Sequence, residues 1–166
     1  MKTLDLSIPN RRNTVDAYIT VHKTVAGNMG DKNKEFTFTF TVDGAAAGAL
    51  FVWTKNGTAQ TSIHSGETFT LKHGDTAVFT VTNGRTVTIT ETAEGYTTTF
   101  KKGSDAETDG SSISFTVAGD TTVEVTNTLN MAVPTDVAHH TAAFAILFMF
   151  AVLSIIIKIK ENGIGR

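Results

Sequence analysis

Apolar side chains recur at every second position in short runs of this chain, and glycine-containing turns separate the runs. In residues 35–42, EFTFTFTV, Phe36, Phe38, Phe40 and Val42 share one parity and threonines hold the other. Side chains two apart on a strand lie on one face, so such a run reads as a strand with one dry and one wet side. The same reading predicts strands over 17–25, 51–54, 68–71, 76–81, 86–91, 96–100, 113–117 and 121–129. Turn signals fall between them at Asn56-Gly57, His73-Gly74, Asn83-Gly84 and Gly119-Asp120. Eight or nine short strands with this punctuation predict an all-β fold, a β-sandwich over 16–130. Residues 1–15 read as an irregular lead-in.

Three positions break the alternation. Lys23 shares its parity with Ile19, Val21 and Val25; Glu91 with Val87 and Ile89; Asn127 with Val123, Val125 and Leu129. Each strand therefore aims one polar group inward, where a charge is costly unless paired or neutralised. An edge-strand lysine is the simpler reading of Lys23. It would turn His22 and Thr24 inward, which fits the apolar neighbours badly. A bulge could move the roles to Glu94 or Asn130. An amine, a carboxyl and a carboxamide in a dry core have a chemistry of their own. The amine attacks the amide carbon, the carboxyl carries the protons, and ammonia leaves. The product is an internal Lys–Asn isopeptide bond, made once per chain, so the protein is not an enzyme in the usual sense.

The C-terminal region has a different pattern. Residues 142–157, AAFAILFMFAVLSIII, carry no charge. At about 1.5 Å per residue this run falls somewhat short of a hydrocarbon core roughly 30 Å thick. Thr141 and Ile159 extend it, and Lys158 and Lys160 reach outward to the interface. One C-terminal transmembrane helix over 142–157 is predicted, with 131–141 as a linker and 158–166 as a cytoplasmic tail. The domain would then lie outside the cell. Residues 1–12, MKTLDLSIPNRR, have no apolar stretch of the kind a secretory signal needs. A longer exported protein and a tail-anchored protein with a cytoplasmic domain both remain open on this reading.

Composition narrows the chemistry. Threonine supplies 30 of 166 residues, as solvated sheet faces would require. The net charge of −2 gives no nucleic-acid footprint. Cysteine is absent, so disulfides and thiolate metal sites are excluded. The histidines at 22, 64, 73, 139 and 140 lack metal-ligand spacing. No catalytic triad or phosphate-cradling loop is legible. No metal, cofactor or small-molecule substrate is expected.

The segments ITVHKTVAGNMGDKNKEFTFTF, VTITE and TTVEVTNT resemble the isopeptide-linkage domain of Gram-positive backbone pilins. The resemblance covers residues 17–130. It implies an immunoglobulin-like sandwich displayed on the cell surface, with Lys23 and Asn127 as cross-link partners and Glu91 as the catalytic acid. Residues 132–136, AVPTD, are similar to the EVPTG-type sorting motif of such pilins. Val133, Pro134, Thr135 and Asp136 would form that motif ahead of an apolar helix and a basic tail. The implied function is a pilin-like or adhesin-stalk subunit, anchored in the membrane or attached to the wall. Its implied partners are the membrane, a sortase and other pilin subunits. A membrane-anchored ligand-binding adhesin, gripping through loops 45–49 and 101–112, is the alternative.

Asp136 stands where the sorting motif has glycine, next to the threonine at which a sortase acylates. The expected outcome is slow processing of the natural chain and faster processing of Asp136→Gly. Incubation with a pilin-type sortase and mass analysis of the products tests this, and equal cleavage of the two would refute it.

Overall fold

Among the described residues thirteen strands form two facing sheets and a small third one. The computed structural model describes residues 15–92, 95–132 and 158. One sheet has seven strands in the order β11 (Thr108–Asp109), β10 (Thr97–Lys102), β13 (Thr121–Thr128), β1 (Asp16–Ala26), β8 (Thr76–Thr82), β4 (Trp53–Lys55) and β5 (Thr58–Ala59). The second has four, in the order β12 (Ser112–Thr116), β9 (Thr86–Thr92), β2 (Phe36–Asp43) and β7 (Glu67–Leu71). A two-stranded piece pairs β3 (Leu50–Phe51) with β6 (Ile63–His64). The architecture is all-β and consistent with a sandwich. Among the described residues no helix is long and apolar enough to cross a membrane. The apolar run 142–157 lies outside the described residues.

Alternation becomes burial in the long strands. In β1, Ala17, Ile19, Val21 and Val25 are buried; in β2, Phe36, Phe38, Phe40 and Val42 are. Aromatic rings join the two sheets. Phe40 of β2 stacks on Phe79 of β8 with centroids 4.1 Å apart, and Phe69 of β7 meets Phe79 edge-on at 5.0 Å. Trp53 of β4 stacks on the same Phe79 at 5.4 Å, and its indole N–H donates to the Thr61 carbonyl at 2.9 Å. Each fully buried ring contributes about 1.5–3 kcal/mol relative to exposure.

The first and last strands lie side by side. β1 pairs with β13 in parallel, from Ile19 opposite Thr121 to Ala26 opposite Thr128. The other edge of β1 pairs with β8, and that of β13 with β10, both antiparallel. Glu91 sits across from this pair, near the end of β9, opposite Phe38 of β2.

The structure departs from the sequence expectation in three places, one of them the short strands β5 and β6, where no strand was predicted. The predicted strand 51–54 changes partner midway. Phe51 pairs with Ile63 and Trp53 with Phe79, leaving Val52 between them 59 % exposed. The expected loop 101–112 contains the end of β10 and all of β11. Two-residue strands such as β5, β6 and β11 are too short for alternation to be read. The hairpin at Asn56-Gly57 forms as its sequence suggests. Both residues have positive φ, 51° and 77°, the geometry of a tight turn between twisted strands.

Gly27 ends β1 with φ +91°, and a Cβ there would lie 2.1 Å from the Leu129 carbonyl oxygen. Both the dihedral and the contact demand glycine. Gly27→Ala is expected to destabilise the fold by more than about 1 kcal/mol, read as a lower Tm in thermal melting.

Candidate functional site: a buried amine, carboxyl and carboxamide

Three strands deliver the polar side chains to one point. Lys23 is in β1, Asn127 in the neighbouring β13, and Glu91 in β9 of the facing sheet. In the β1–β13 register Lys23 lies opposite Val125, and Asn127 opposite Val25. Lys23 and Asn127 are thus a diagonal pair, two residues out of step on the same inward face. Long side chains bridge such a separation. Lys23 and Asn127 are 0 % exposed and Glu91 is 2 % exposed. Lys23 Nζ lies 2.8 Å from Glu91 Oε1. Asn127 Nδ2 donates a hydrogen bond to the same Oε1 at 3.1 Å. The carboxyl oxygen is therefore the hub that joins amine to amide.

The surroundings are apolar. Phe36 lies under the amine with its centroid 4.5 Å from Nζ, and Phe38 at 5.7 Å. Burial holds the Lys23 amine below the ordinary lysine value, an effect that the hydrogen bond and charge of Glu91 oppose only in part. Hydrogen bonding at the site is incomplete. Among the described residues, Glu91 Oε2 and Asn127 Oδ1 have no partner. Lys23 Nζ is held by its 2.8 Å ion pair with Oε1. Unsatisfied groups of this kind cost free energy in a dry core. A proton on the carboxyl would turn one orphan acceptor into a donor. It would also leave the amine neutral, with a lone pair beside a carboxamide.

A shallow cavity of about 290 Å³ reaches the edge of the site, lined by Glu91, Tyr96, Thr97, Thr98, Asp109, Gly110 and Ser111. The Glu91 backbone is pinned there by its N–H donating to the Ser111 carbonyl at 2.8 Å.

The other candidates lie elsewhere. Asn130 is exposed, and its Oδ1 accepts from the Asn28 backbone N–H at 3.1 Å. Glu94 lies outside the described residues, as do Val133, Pro134, Thr135 and Asp136. His22 and Thr24 flank Lys23 on the other face and are half-buried. The His22 ring hydrogen-bonds Thr76 Oγ1 at 3.0 Å, and His73 Nδ1 accepts the Val25 N–H at 3.0 Å. Among the described residues no three His, Asp or Glu side chains converge as metal ligands.

Residues 17–129 match the family described as Domain of unknown function (DUF7601). The chain belongs to that family. All three inward polar residues lie within the matched span. No curated protein matches the chain in sequence. Among solved structures, the major pilin of Streptococcus pyogenes is similar, with TM-score 0.59 and 27 % identity over 70 % of this chain and 48 % of that one. A second major pilin of that species, T3.2, has TM-score 0.56 and 24 % identity over 68 % of this chain and 44 % of that one. The pilus-presented adhesin Cpa of the same species has TM-score 0.57 and 27 % identity, covering 71 % of this chain and 28 % of that one. The chain thus spans less than half the length of these structures. The described domain of this family member has a Gram-positive pilin-like fold.

Sequence reading overlooked two features of the site. Phe36 and Phe38 were legible as core residues, but their place beneath an amine was not. Thr98, which shares the inward parity of Phe100 in β10, is a fourth buried polar side chain. The same parity arithmetic would have found it.

The lowered affinity of Lys23 for its proton makes stability depend on pH wherever the amine stays free. In the unfolded chain lysine titrates at its ordinary value of 10.5. In the folded chain it loses its proton at lower pH, so between the two values the unfolded state binds more protons. Stability then rises with pH toward 10.5 and levels off above it. Asn127→Ala, which keeps the amine, should show this rise in denaturant midpoints measured across the alkaline range. A midpoint falling over that range would refute the assignment.

Proposed function

We propose that the chain is a surface-displayed, pilin-like structural subunit whose sandwich is closed by an isopeptide bond between Lys23 and Asn127, formed with Glu91 as the proton carrier. The observation that carries this reading is the convergence of the three buried side chains on Glu91 Oε1. The pilin and pilus-adhesin folds of the structural neighbours support it. The role is structural rather than enzymatic, because each chain reacts once.

The reaction follows from the arrangement. With the shared proton on Glu91, the neutral Lys23 amine adds to the Asn127 Cγ. The new C–N bond gives a tetrahedral centre whose negative charge lies on Oδ1. Glu91 gives its proton to Nδ2 and, as the carboxylate, takes the surplus proton from the lysine nitrogen, so it ends as it began. The Cγ–Nδ2 bond then breaks and ammonia departs, with the cavity beside Glu91 as a short route to solvent. The fold holds amine and amide together, which supplies the effective concentration that a sluggish reaction needs.

The gain is stability without cysteine. The covalent loop from Lys23 to Asn127 encloses 105 residues. By analogy with a disulfide, closing about 100 residues contributes on the order of 4.7 kcal/mol in the chain-entropy model. Anchoring by the apolar run 142–157, and recognition of Val133, Pro134, Thr135 and Asp136 by a sortase, belong to the same proposal. They would place the domain outside a Gram-positive cell.

Intact mass tests the bond directly. The natural chain should weigh one ammonia less than its sequence, and Lys23→Ala, Asn127→Ala and Glu91→Ala should each retain the full uncross-linked mass. Each variant should also melt lower, by unequal amounts, since a buried partner left alone adds its own desolvation cost. Full ammonia loss in Glu91→Ala would remove the proton-carrier role but keep the bond. An unmodified natural chain would overturn both.

A further inference from the structure

The tetrahedral centre places negative charge on Asn127 Oδ1, an atom without a hydrogen-bond partner among the described residues. Thr98 faces it. In the antiparallel pairing of β10 with β13, Thr98 is directly opposite Asn127. Both side chains are on the inward face, since Thr98 is 7 % exposed and alternates with the buried Phe100. Directly opposed residues on one face have Cβ atoms about 4.5–5.5 Å apart, a span that a hydroxyl and a carboxamide close by rotation about their side-chain bonds. Thr98 Oγ1 likewise has no partner among the described residues.

A buried hydroxyl and a buried carbonyl, opposed across one strand pair and both unsatisfied, are complementary. The hydroxyl carries a donor, and the carbonyl carries an acceptor that strengthens as charge develops. Thr98 also lines the cavity that reaches Glu91. It therefore stands between the reacting amide and the surface.

We propose that Thr98 is the oxyanion donor of the cross-linking reaction: its hydroxyl donates to Asn127 Oδ1 as the Lys23 amine adds to Cγ. The inference rests on the isopeptide reading above and adds to it a residue that neither forms the bond nor carries the protons. The hydroxyl proton stays on Thr98 throughout. The proton transferred to the departing ammonia still passes through Glu91. Preorganised donors of this kind act on the transition state more than on the ground state, as their geometry is set before charge appears. A ground state with both atoms unsatisfied fits that role.

The test is a rate. The full-length natural chain, Thr98→Val and Thr98→Ser are synthesised in a cell-free reaction, quenched at intervals in denaturant, and followed by intact mass for loss of ammonia. Thr98→Val keeps the shape and removes the donor; it should lose ammonia at least about tenfold more slowly. Thr98→Ser keeps the donor and should restore most of the rate. A structural role predicts the opposite sign for folding. Removing an unsatisfied buried hydroxyl should leave the melting of an uncross-linked background, Lys23→Ala with and without Thr98→Val, unchanged or higher. Equal rates in the natural chain and Thr98→Val would overturn the role of Thr98 and leave the isopeptide reading standing. Slowing by Thr98→Val that Thr98→Ser fails to relieve, or that accompanies a lower melt in the Lys23→Ala background, would overturn it as well. Absence of ammonia loss from the natural chain would overturn both.

Discussion

The contact on which this fold turns is the one between Lys23 Nζ and Glu91 Oε1, 2.8 Å apart and sealed from water. It couples a strand of one sheet to a strand of the other at a place where water cannot compensate for a mismatch. A one-residue slip of β1 or β9 would send the entire apolar set of that strand outward and leave the polar partner alone in the core. The pair thus specifies register more strongly than any single apolar contact could. It is a poor source of stability by itself, because desolvating two charges costs about as much as their attraction returns. Such a pair is tolerable if the amine is consumed, since an amide nitrogen in its place would carry no charge to desolvate.

The remaining core is built to stand without the site. The rings of Phe40, Phe69, Phe79 and Trp53 come from β2, β7, β8 and β4, none of which supplies Lys23, Glu91 or Asn127. This separation would let the chain fold before the proposed reaction. The fold must exist first, since only the completed sandwich brings residues 23, 91 and 127 within reach of one another. Phe36 and Phe38 serve both parts, packing the core while forming the apolar floor beneath the amine.

Much of this arrangement was legible in the chain. Period-two alternation marked the long strands to within about two residues, and the polar interruptions at residues 23, 91 and 127 proved to be neighbours in space. Alternation reports only which face a side chain takes. It could not say that β1 lies beside β13, which depends on a parallel pairing between the two ends of the domain. Nor could it show the partner change at Val52, since Phe51 and Trp53 keep one parity while pairing with different strands. Thr98 was passed over because threonine is abundant on the wet faces here, so an inward threonine does not stand out by type as an inward lysine does.

The parallel alignment of β1 and β13 also has a mechanical side. Strands running the same way carry the chain in at one pole of the sandwich and out at the opposite pole. Tension between residues 16 and 128 would slide the two strands lengthwise past each other, loading their whole ladder of hydrogen bonds at once instead of peeling them one at a time. A covalent tie between Lys23 and Asn127 would carry that tension along β1 from residue 16 to 23 and out through residue 127, bypassing the ladder. The domain would then behave under load as a nearly inextensible link, able to transmit force from pole to pole while the strands between remain slack.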